Sequence, residues 1–582
     1  MANRSAPALS LRLFWKPLAR GPQLTVRDAV VFALVIGALA LLAVGGRQTF
    51  RPLSVVDAIS LDPINLPAYA LRTTLRMLAA MGVSLVFAFG FGVMAAKSRR
   101  LERLLIPLID ILQSVPVLGF LTFTVTFFLA LFPGQVLGAE FAAIFAVFTS
   151  QAWNMALAFY QSLKTVPRDL QDVSDSLRLG AWRRFWTLEA PFGAPALVWN
   201  MMISMSGGWF FVVQAEAITV GATTVRLPGV GSYVALAIER QDLHAIGWAV
   251  LTMLVVILIY DQLMFRPLVA WAERFRLDAT LRDEAPRSWL LDFIQRADLA
   301  RRVLRPAGSV MRSLASLRLG APTCPAAPIS RFWSGVWVDV AWWGLLGLVA
   351  ILAAWKVVAV VGHEVGLAEV GHVFALGFFT LIRVVVLTVV ASLIWTPIGV
   401  MIGLRPRLAA FAQPVAQFLA AFPANLLFPL FVLAIVRFHG APDVWLSPLM
   451  ILGAQWYILF NVIGGAGALS WDLREAASSF RVTGWTWWKR VALPFVMPAY
   501  LVGANTAAGA AWNAAIVAEV ASWGSTTLRA HGLGAYILDG SVTGDLPRVV
   551  LGVAVMCLYV VVFNSLLWRP LFALAERRLH AA

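Results

Sequence analysis

The chain has 582 residues, 60% of them hydrophobic and 13% charged, against about 45–50% and about 25% in ordinary soluble domains, which excludes a soluble globular protein. The formal net charge of +16 would suggest a nucleic-acid partner in a soluble protein. Here the basic residues stand in short clusters between apolar runs, and no basic face with interleaved stacking aromatics occurs, so nucleic acid is excluded too.

In chain order, a basic start (Arg4, Arg12, Lys16, Arg20) leads into an apolar run from Val30 to Val44 without a cleavage site, read as a retained first span. Runs long enough to cross about 30 Å of hydrocarbon, about 20 residues each, recur from there. They must be helical, because lipid offers no partner to free backbone groups. The first half is predicted to span near 28–46, 73–96, 104–131, 140–163, 193–220 and 245–269. A polar, Arg- and Pro-bearing stretch, 272–334, follows and reads as a cytoplasmic linker with amphipathic pieces on the anionic leaflet, a regulator site being the alternative. The second half is predicted to span near 336–361, 376–404, 410–436, 445–469, 496–522 and 547–572.

Lys97 through Arg103, the segment from Lys164 to Arg184, Arg405 with Arg407, and Arg474 through Arg490 carry the positive charge of the loops. The loops between are short and charge-poor, so both termini are predicted to be cytoplasmic. Twenty-four tryptophans suit a protein with two interfaces to anchor.

The halves are copies of one another. From Asp172 to Leu277 a constant offset of 303 (481 less 178) aligns Arg178 with Arg481, Trp182 with Trp485, Pro191 with Pro494, Trp209 with Trp512 and Glu216 with Glu519. It also aligns Gly229 and Gly231 with Gly532 and Gly534, and Arg266-Pro267 with Arg569-Pro570. Upstream the offset is 307 (383 less 76), pairing Arg76 with Arg383, Gly92 with Gly399 and Pro116 with Pro423. Two six-helix units with an even number of spans share one orientation, so an all-α polytopic protein of about 12 transmembrane helices with parallel pseudo-two-fold symmetry is expected. The expected domains are 1–271, the linker 272–334, and 335–582.

After the fourth span of each half comes a cytoplasmic helix, turn and helix, about 165–191 and about 471–494. The first copy carries Asp172, Asp175, Arg178, Gly180, Trp182 and Phe185; the second carries Glu475, Ala476, Ala477, Arg481, Gly484, Trp485 and Trp488. The early acids suit a helix N-terminus. Gly180 and Gly484 are expected to permit the tight turn, and Pro191 and Pro494 to open the following span. Phe185 or Trp488 is expected to serve as a packing knob. Glu475-Ala476-Ala477, a turn, and Leu493-Pro494 resemble the EAA loop of ATP-binding-cassette (ABC) importer permeases. Trp512, Ala518-Glu519, Leu227-Pro228-Gly229 and Gly532-Leu533-Gly534 resemble the nitrate/sulfonate/taurine subgroup. The resemblance covers most of both halves. It departs from the family where the usual Gly six residues after the Glu is Arg481, or Arg178 in the first copy, and where Asp172 stands for Glu475 without the Ala-Ala.

Polar residues inside spans are expensive and face a cavity or a partner. Gln151, Asn154, Asn200, Gln214, Asn425, Gln455, Asn505 and Asn513 are candidates for a translocation path or for interhelical ties. Glu216 and Glu519, at the outer ends of the fifth spans, are expected either to form ion pairs, with Arg226 and Arg529 or with Arg76 and Arg383, or to line the path. Arg76 and Arg383 themselves read as snorkelling to the headgroups.

The five lysines follow Trp, Ala or Leu, so no Gly-Lys-Ser/Thr phosphate loop exists. Cys324 and Cys557 form no metal-type spacing, and no catalytic motif stands out, so neither a cofactor nor an enzymatic activity is expected. The resemblance implies an inner-membrane importer permease without ATP-binding motifs of its own. It implies ATPase subunits, two copies or a pair, that bind ATP and Mg, and a periplasmic or lipid-anchored solute-binding protein. The implied solute is a small anion of the nitrate/sulfonate/taurine class. A secondary transporter with two six-helix repeats, or an ABC exporter, is the alternative.

Overall fold

The computed structural model describes residues 59–275, 288–296 and 365–580, apart from 114–115, 221–222 and 470, with isolated residues between 309 and 355. The predicted span 28–46, most of 336–361 and most of the linker lie outside the described residues.

The first half comprises α1 (Leu66–Lys97), α2 (Arg99–Leu112), α3 (Val117–Leu131), α4 (Val136–Lys164), α5 (Arg168–Ser176), α6 (Ala181–Arg184) and α7 (Ala190–Ala215). A hairpin of β1 (Ala217–Val220) and β2 (Thr223–Arg226) follows, then α8 (Val230–Glu239), α9 (Leu243–Tyr260) and α10 (Arg266–Ala272), with α11 (Trp289–Arg296) in the linker. The second half repeats the order from α12 (Leu367–Gly403) through α13 (Pro406–Ala421) and α14 (Phe428–Arg437). There the fourth span is segmented into α15 (Pro442–Trp445), α16 (Ser447–Ile451) and α17 (Gln455–Gly467). Then come α18 (Trp471–Ser479), α19 (Gly484–Trp487), α20 (Leu493–Ala518), β3 (Val520–Trp523), β4 (Thr526–Arg529), α21 (Leu533–Thr543), α22 (Leu546–Phe563) and α23 (Arg569–His580).

Among the described residues, eight helices are long and apolar enough to cross a membrane. They coincide with the predicted second, fourth, fifth and sixth spans of each half. The third spans differ from expectation. The run 104–131 is divided between α2 and α3, and 410–436 between α13 and α14, which meet at a 75° bend. Pro116 and Pro423 stand at the N-caps that follow the two breaks, where a residue without an N–H, also restricting its predecessor, ends a helix. The predicted fifth spans also end earlier, at Ala215 and Ala518. Residues 217–226 and 520–529 are antiparallel hairpins, Ala217 pairing with Arg226 and Val520 with Arg529.

Among the described residues, four π-turns interrupt the helices, at Phe185–Glu189, Asp261–Phe265, Trp488–Ala492 and Asn564–Trp568. Each ends two residues before a proline: Pro191, Pro267, Pro494 and Pro570. A proline removes one backbone donor and crowds the preceding carbonyl, and a widened turn accommodates both. The turns let helices run on, so that 181–215 and 484–518 are each a 35-residue helix, long and apolar enough to cross a membrane, that begins at the turn after α5 or α18.

Within each half the second, fourth and fifth spans pack together. Close approach depends on small residues: a Cβ on Gly92 or on Gly193 would lie 2.6 Å from the Phe159 ring, which is fully buried between α1, α4 and α7. The broken third spans connect the halves. Besides packing on its own fourth span, α3 lies on α20, α21 and α22, and α13 lies on α7 and α9.

Candidate functional site

Three features repeat in the two halves: a buried ion cluster at the hairpin, a coupling segment, and a set of cavities at the breaks of the third spans.

The cluster is built on the carboxylate that caps each fifth helix. Arg76 Nη1 donates to Glu216 Oε1 at 2.7 Å and to the Pro228 carbonyl at 3.0 Å, while Nε and Nη2 donate to Glu140 at 2.5 and 2.7 Å. Thr73 Oγ1 donates to Glu216 Oε1 at 2.7 Å, and the Gly231 N–H donates to Oε2 at 2.7 Å. In the second half Arg383 donates to Glu519 at 3.1 Å, to the His531 carbonyl at 3.0 Å and to Asp443 at 3.0 Å. Thr380 and the Gly534 N–H donate to Glu519 at 2.8 and 2.7 Å. Glu216 and Glu519 are 0% and 1% exposed, so these charges persist only because every oxygen is engaged. Of the partners open at the sequence level, the structure selects Arg76 and Arg383. Arg226 and Arg529 pair instead with Glu239 and Asp539. The snorkelling assigned to Arg76 and Arg383 is thereby corrected: their guanidiniums are drawn into the protein because an opposite charge waits there.

The glycines after each hairpin are explained by this cluster. Gly229 is extended, so its conformation does not demand glycine. A Cβ there would lie 2.2 Å from Glu216 Cδ, and on Gly532 2.2 Å from Glu519 Cδ. The glycines let the backbone lie against the carboxylate.

In the coupling segments α5 and α18 end in left-handed caps, but not on the expected residues. Arg178 (φ 47) and Arg481 (φ 51) adopt the left-handed conformation. Arg178 N–H donates to Asp175 O at 2.9 Å and Leu179 N–H to Ser174 O at 3.2 Å. The counterparts are Arg481 to Ser478 at 2.9 Å and Val482 to Ala477 at 2.8 Å. Gly180 is extended and precedes α6, and Gly484, at φ 59, opens α19. The turn thus falls where the family's Gly would stand, on an arginine.

Asp172, Asp175, Glu475 and Ala476 are exposed, Trp182 is half-buried and Ala477 buried. Phe185 turns inward, edge-on to Phe89 at 5.5 Å and Phe159 at 6.2 Å, and half-buried Trp488 packs edge-on to Trp487 at 5.7 Å. The most exposed large apolar side chains of the segments are Phe480, Trp485 and Leu177, 82%, 76% and 66% exposed, with Val173 at 56%. Leu177 and Phe480 were missed from the sequence, although the offset of 303 makes them equivalents and each precedes the left-handed arginine.

Charges hold the first segment. Asp175 pairs with Arg184 at 2.8 Å and Arg184 with Glu189 at 3.4 Å, which meets Lys97 at 3.0 Å. The second half has Ser478, Trp487 and Ala492 at the equivalents of Asp175, Arg184 and Glu189.

A cavity of about 210 Å³ lies between the halves, beside the break between α2 and α3. Its walls come from α4, α7, α17, α20 and α22, and include Asn154, Asn505 and Asn513 of the predicted path residues. A smaller one, about 60 Å³, adjoins the break between α13 and α14 and shares Gly207, Phe211, Tyr457 and Ala510 with it. Irregular backbone at membrane depth is tolerated where it lines a cavity or is buried. Here the Val117 N–H, freed at the start of α3, donates to Asn513 Oδ1 of the other half at 2.7 Å.

The remaining candidates lie elsewhere. Gln151 is fully buried against Met77, and Asn200 donates to the Ala196 carbonyl at 3.0 Å. Gln455 accepts from Trp395 at 2.9 Å, and Asn425 is buried on the 3₁₀ turn before α14. Gln214 is half-buried, and neither it nor Glu216 nor Glu519 lines these cavities.

The duplicated helical unit, with a coupling segment and an internal cavity, defines a polytopic membrane transport component. The family of binding-protein-dependent transport system inner membrane components matches residues 88–266 and again 395–579, more than half of the chain, and the chain belongs to that family. It is similar to a bicarbonate transport system permease protein of Synechococcus elongatus, 21% identical over 202 residues, 35% of this chain and 66% of the relative. A nitrate import permease protein of Leptolyngbya laminosa is 25% identical over 232 residues, 38% of this chain and 78% of the relative. A putative aliphatic sulfonates transport permease protein of Bacillus subtilis is 28% identical over 161 residues, 27% of this chain and 54% of the relative.

Proposed function

We propose that this chain is the fused permease of an ATP-binding-cassette importer, its two halves enclosing one path for a small anion of the nitrate, bicarbonate or sulfonate kind. Separate ATPase subunits, holding ATP and Mg, dock on the segments 165–191 and 471–494, and a solute-binding protein delivers the anion from the opposite face. Both termini are then on the ATPase side, with the linker 272–334. Asn154, Asn505 and Asn513 belong to the path, while Glu216 and Glu519 are internal clamps that join the second span, the fifth span and the hairpin.

The observation that carries this reading is the pairing of two exposed apolar knobs, Leu177 and Phe480, at matched places on short capped helices. Each helix is linked through its turn to a 35-residue span that reaches the cavity wall. Motion of a docked subunit is thereby passed as rigid-body motion to the fifth spans. The test is uptake of radiolabelled anion into right-side-out vesicles loaded with ATP, with and without the binding protein. Leu177→Asp with Phe480→Asp is expected to abolish ATP-driven uptake and ATPase co-purification without lowering the unfolding midpoint of the permease. Uptake collapsed by an uncoupler but indifferent to ATP depletion would overturn the proposal in favour of a secondary transporter.

A further inference from the structure

The two cavities between the halves lie in series. Along α20 the larger touches residues from Asn505 to Asn513, and the smaller touches Ala510 and Ala514. On the fourth span of the second half the larger touches Tyr457 alone. The smaller continues from Tyr457 to Leu449, toward the end where Asp443 accepts from the His531 N–H beside the hairpin. The smaller cavity is therefore the one nearer the hairpins. Asn154 and Gly509, on the wall of the larger, are exposed, whereas every residue lining the smaller is buried or half-buried. With the larger cavity taken as part of the path, the reading on which this inference rests, the path leads from an open chamber to a closed one.

Gly207, Phe211, Tyr457 and Ala510 belong to both walls and stand where one cavity gives way to the other. Tyr457 reaches across from the second half to the first: a Cβ on Gly207 would lie 3.5 Å from its hydroxyl, in ordinary contact. Glu140 and Asp443, which bind the equivalent Arg76 and Arg383, carry the offset of 303 into the fourth spans (443 less 140). The counterpart of Tyr457 is therefore Asn154 (457 less 303), which lines only the larger cavity. Of the two equivalent positions one holds a ring, and a glycine of the other half faces it.

Nothing fastens that ring. Six of the eight tyrosines have a hydrogen-bonded hydroxyl, as buried hydroxyls in a fixed scaffold do. The hydroxyl of Tyr260 has no partner and is sealed. Tyr457 is 7% exposed, and its hydroxyl also has no partner among the described residues, but it is not one of the sealed atoms. It meets the void between the cavities, so the ring can turn about its side-chain bonds without breaking a hydrogen bond. We propose that Tyr457 is the gate residue of the path, its ring closing the passage from the open chamber to the closed one. The bulk of this one side chain then limits the size of solute that passes. The fifth spans carry Gly207 and Ala510, the opposing side of the gate, so rigid-body motion of those spans moves that side away from the ring.

The experiment labels the full chain in a non-ionic detergent, with Cys324 and Cys557 replaced by alanine and a single cysteine placed in one chamber or the other. The probe is 2-sulfonatoethyl methanethiosulfonate, a small water-soluble anion that forms a mixed disulfide with the thiolate and releases methanesulfinate. Asn505→Cys, in the open chamber, is expected to react at least about tenfold faster than Ala514→Cys, which lines the closed one alone. Adding Tyr457→Asn, which installs the counterpart's side chain, is expected to raise the Ala514→Cys rate about tenfold or more, as access to the thiol opens. Tyr457→Phe keeps the ring and should leave that rate unchanged. Tyr260→Ala removes an equally buried tyrosine that lines neither chamber, and it should also leave the rate unchanged, which general loosening of the helices would not allow. If Tyr457→Asn fails to fold, Tyr457→Leu makes the same comparison. The assignment would be overturned by Ala514→Cys reacting as fast as Asn505→Cys behind the intact tyrosine, or by a rate that the Tyr457 variants do not move. A rate raised as much by Tyr457→Phe or Tyr260→Ala would overturn it equally. The labelling needs no ATP, ATPase or binding protein, so ATP-independent uptake would remove the importer reading and leave this gate standing.

Discussion

A carboxylate that is 0% exposed and an arginine that is 3% exposed coexist at Glu216 and Arg76 because each polar atom has a partner. Taking away one member leaves the other as an uncompensated buried charge. Arg76→Ala is therefore expected to lower unfolding stability by about 3–5 kcal/mol, read as a drop in thermal midpoint in detergent. Arg383→Ala is expected to cost less, since Arg383 is 12% exposed and its second acid, Asp443, is 46% exposed and open to water. Glu216→Gln should fall between, because a neutral amide keeps two hydrogen bonds but leaves Arg76 with Glu140 alone. That the acids needed cations was legible in the sequence. Which cations was not: Arg226 and Arg76 are both within plausible reach of Glu216 along the chain, and only the folding of the second span against the fifth decides between them.

At the scale of elements, α5 and α18 end on arginines forced into the left-handed region, which for a residue with a Cβ costs about 1–2 kcal/mol. Arg481→Gly is expected to stabilise the permease by about 1 kcal/mol, offset in part by greater freedom of the unfolded chain. The readout is the thermal midpoint, and an unchanged or lowered midpoint would mean that the arginine side chain contributes more than its backbone costs. The start of α2 gives a pH-dependent counterpart. Hydrogen bonds from Lys164 and then from Tyr160 hold the Glu102 carboxyl below its ordinary range. A depressed folded-state value means that the stabilisation is complete above the ordinary carboxylate range and is lost as pH falls through the folded value. The difference in midpoint between the wild type and Glu102→Gln should accordingly be full at pH 7 and shrink toward zero in acid. The π-turns and the broken third spans belong to this scale as well. Their prolines were visible at constant offset, yet a proline is compatible with a helix start, a kink or a break. The neighbours of the widened turn choose among these.

Among the described residues, the two halves meet through their third spans and at the hairpins. Thr122 of α3 and Ser541 of α21 share a buried hydrogen bond of 2.7 Å, and Gly524 N–H of the second hairpin donates to Ile238 O of α8 at 3.0 Å. In a double-mutant cycle, Thr122→Val and Ser541→Ala are each expected to cost about 1–2 kcal/mol by orphaning the other hydroxyl. The double variant should cost less than their sum, by about 1 kcal/mol of coupling in the midpoint-derived stabilities. Additive losses would show that this contact does not tie the halves.

The sequence by itself determined that this is a duplicated, membrane-spanning helical protein with matched helix–turn–helix segments after the fourth spans. Hydrophobic run length, the distribution of arginine and a constant offset are properties of the chain read along its length. Tertiary structure alone decided which arginine neutralises Glu216 and Glu519, and that the third spans are broken and pack on the opposite half. Those facts depend on which faces of distant helices meet, and a polar residue in a span has the same appearance in the sequence whether it meets a partner, a neighbouring backbone or a cavity.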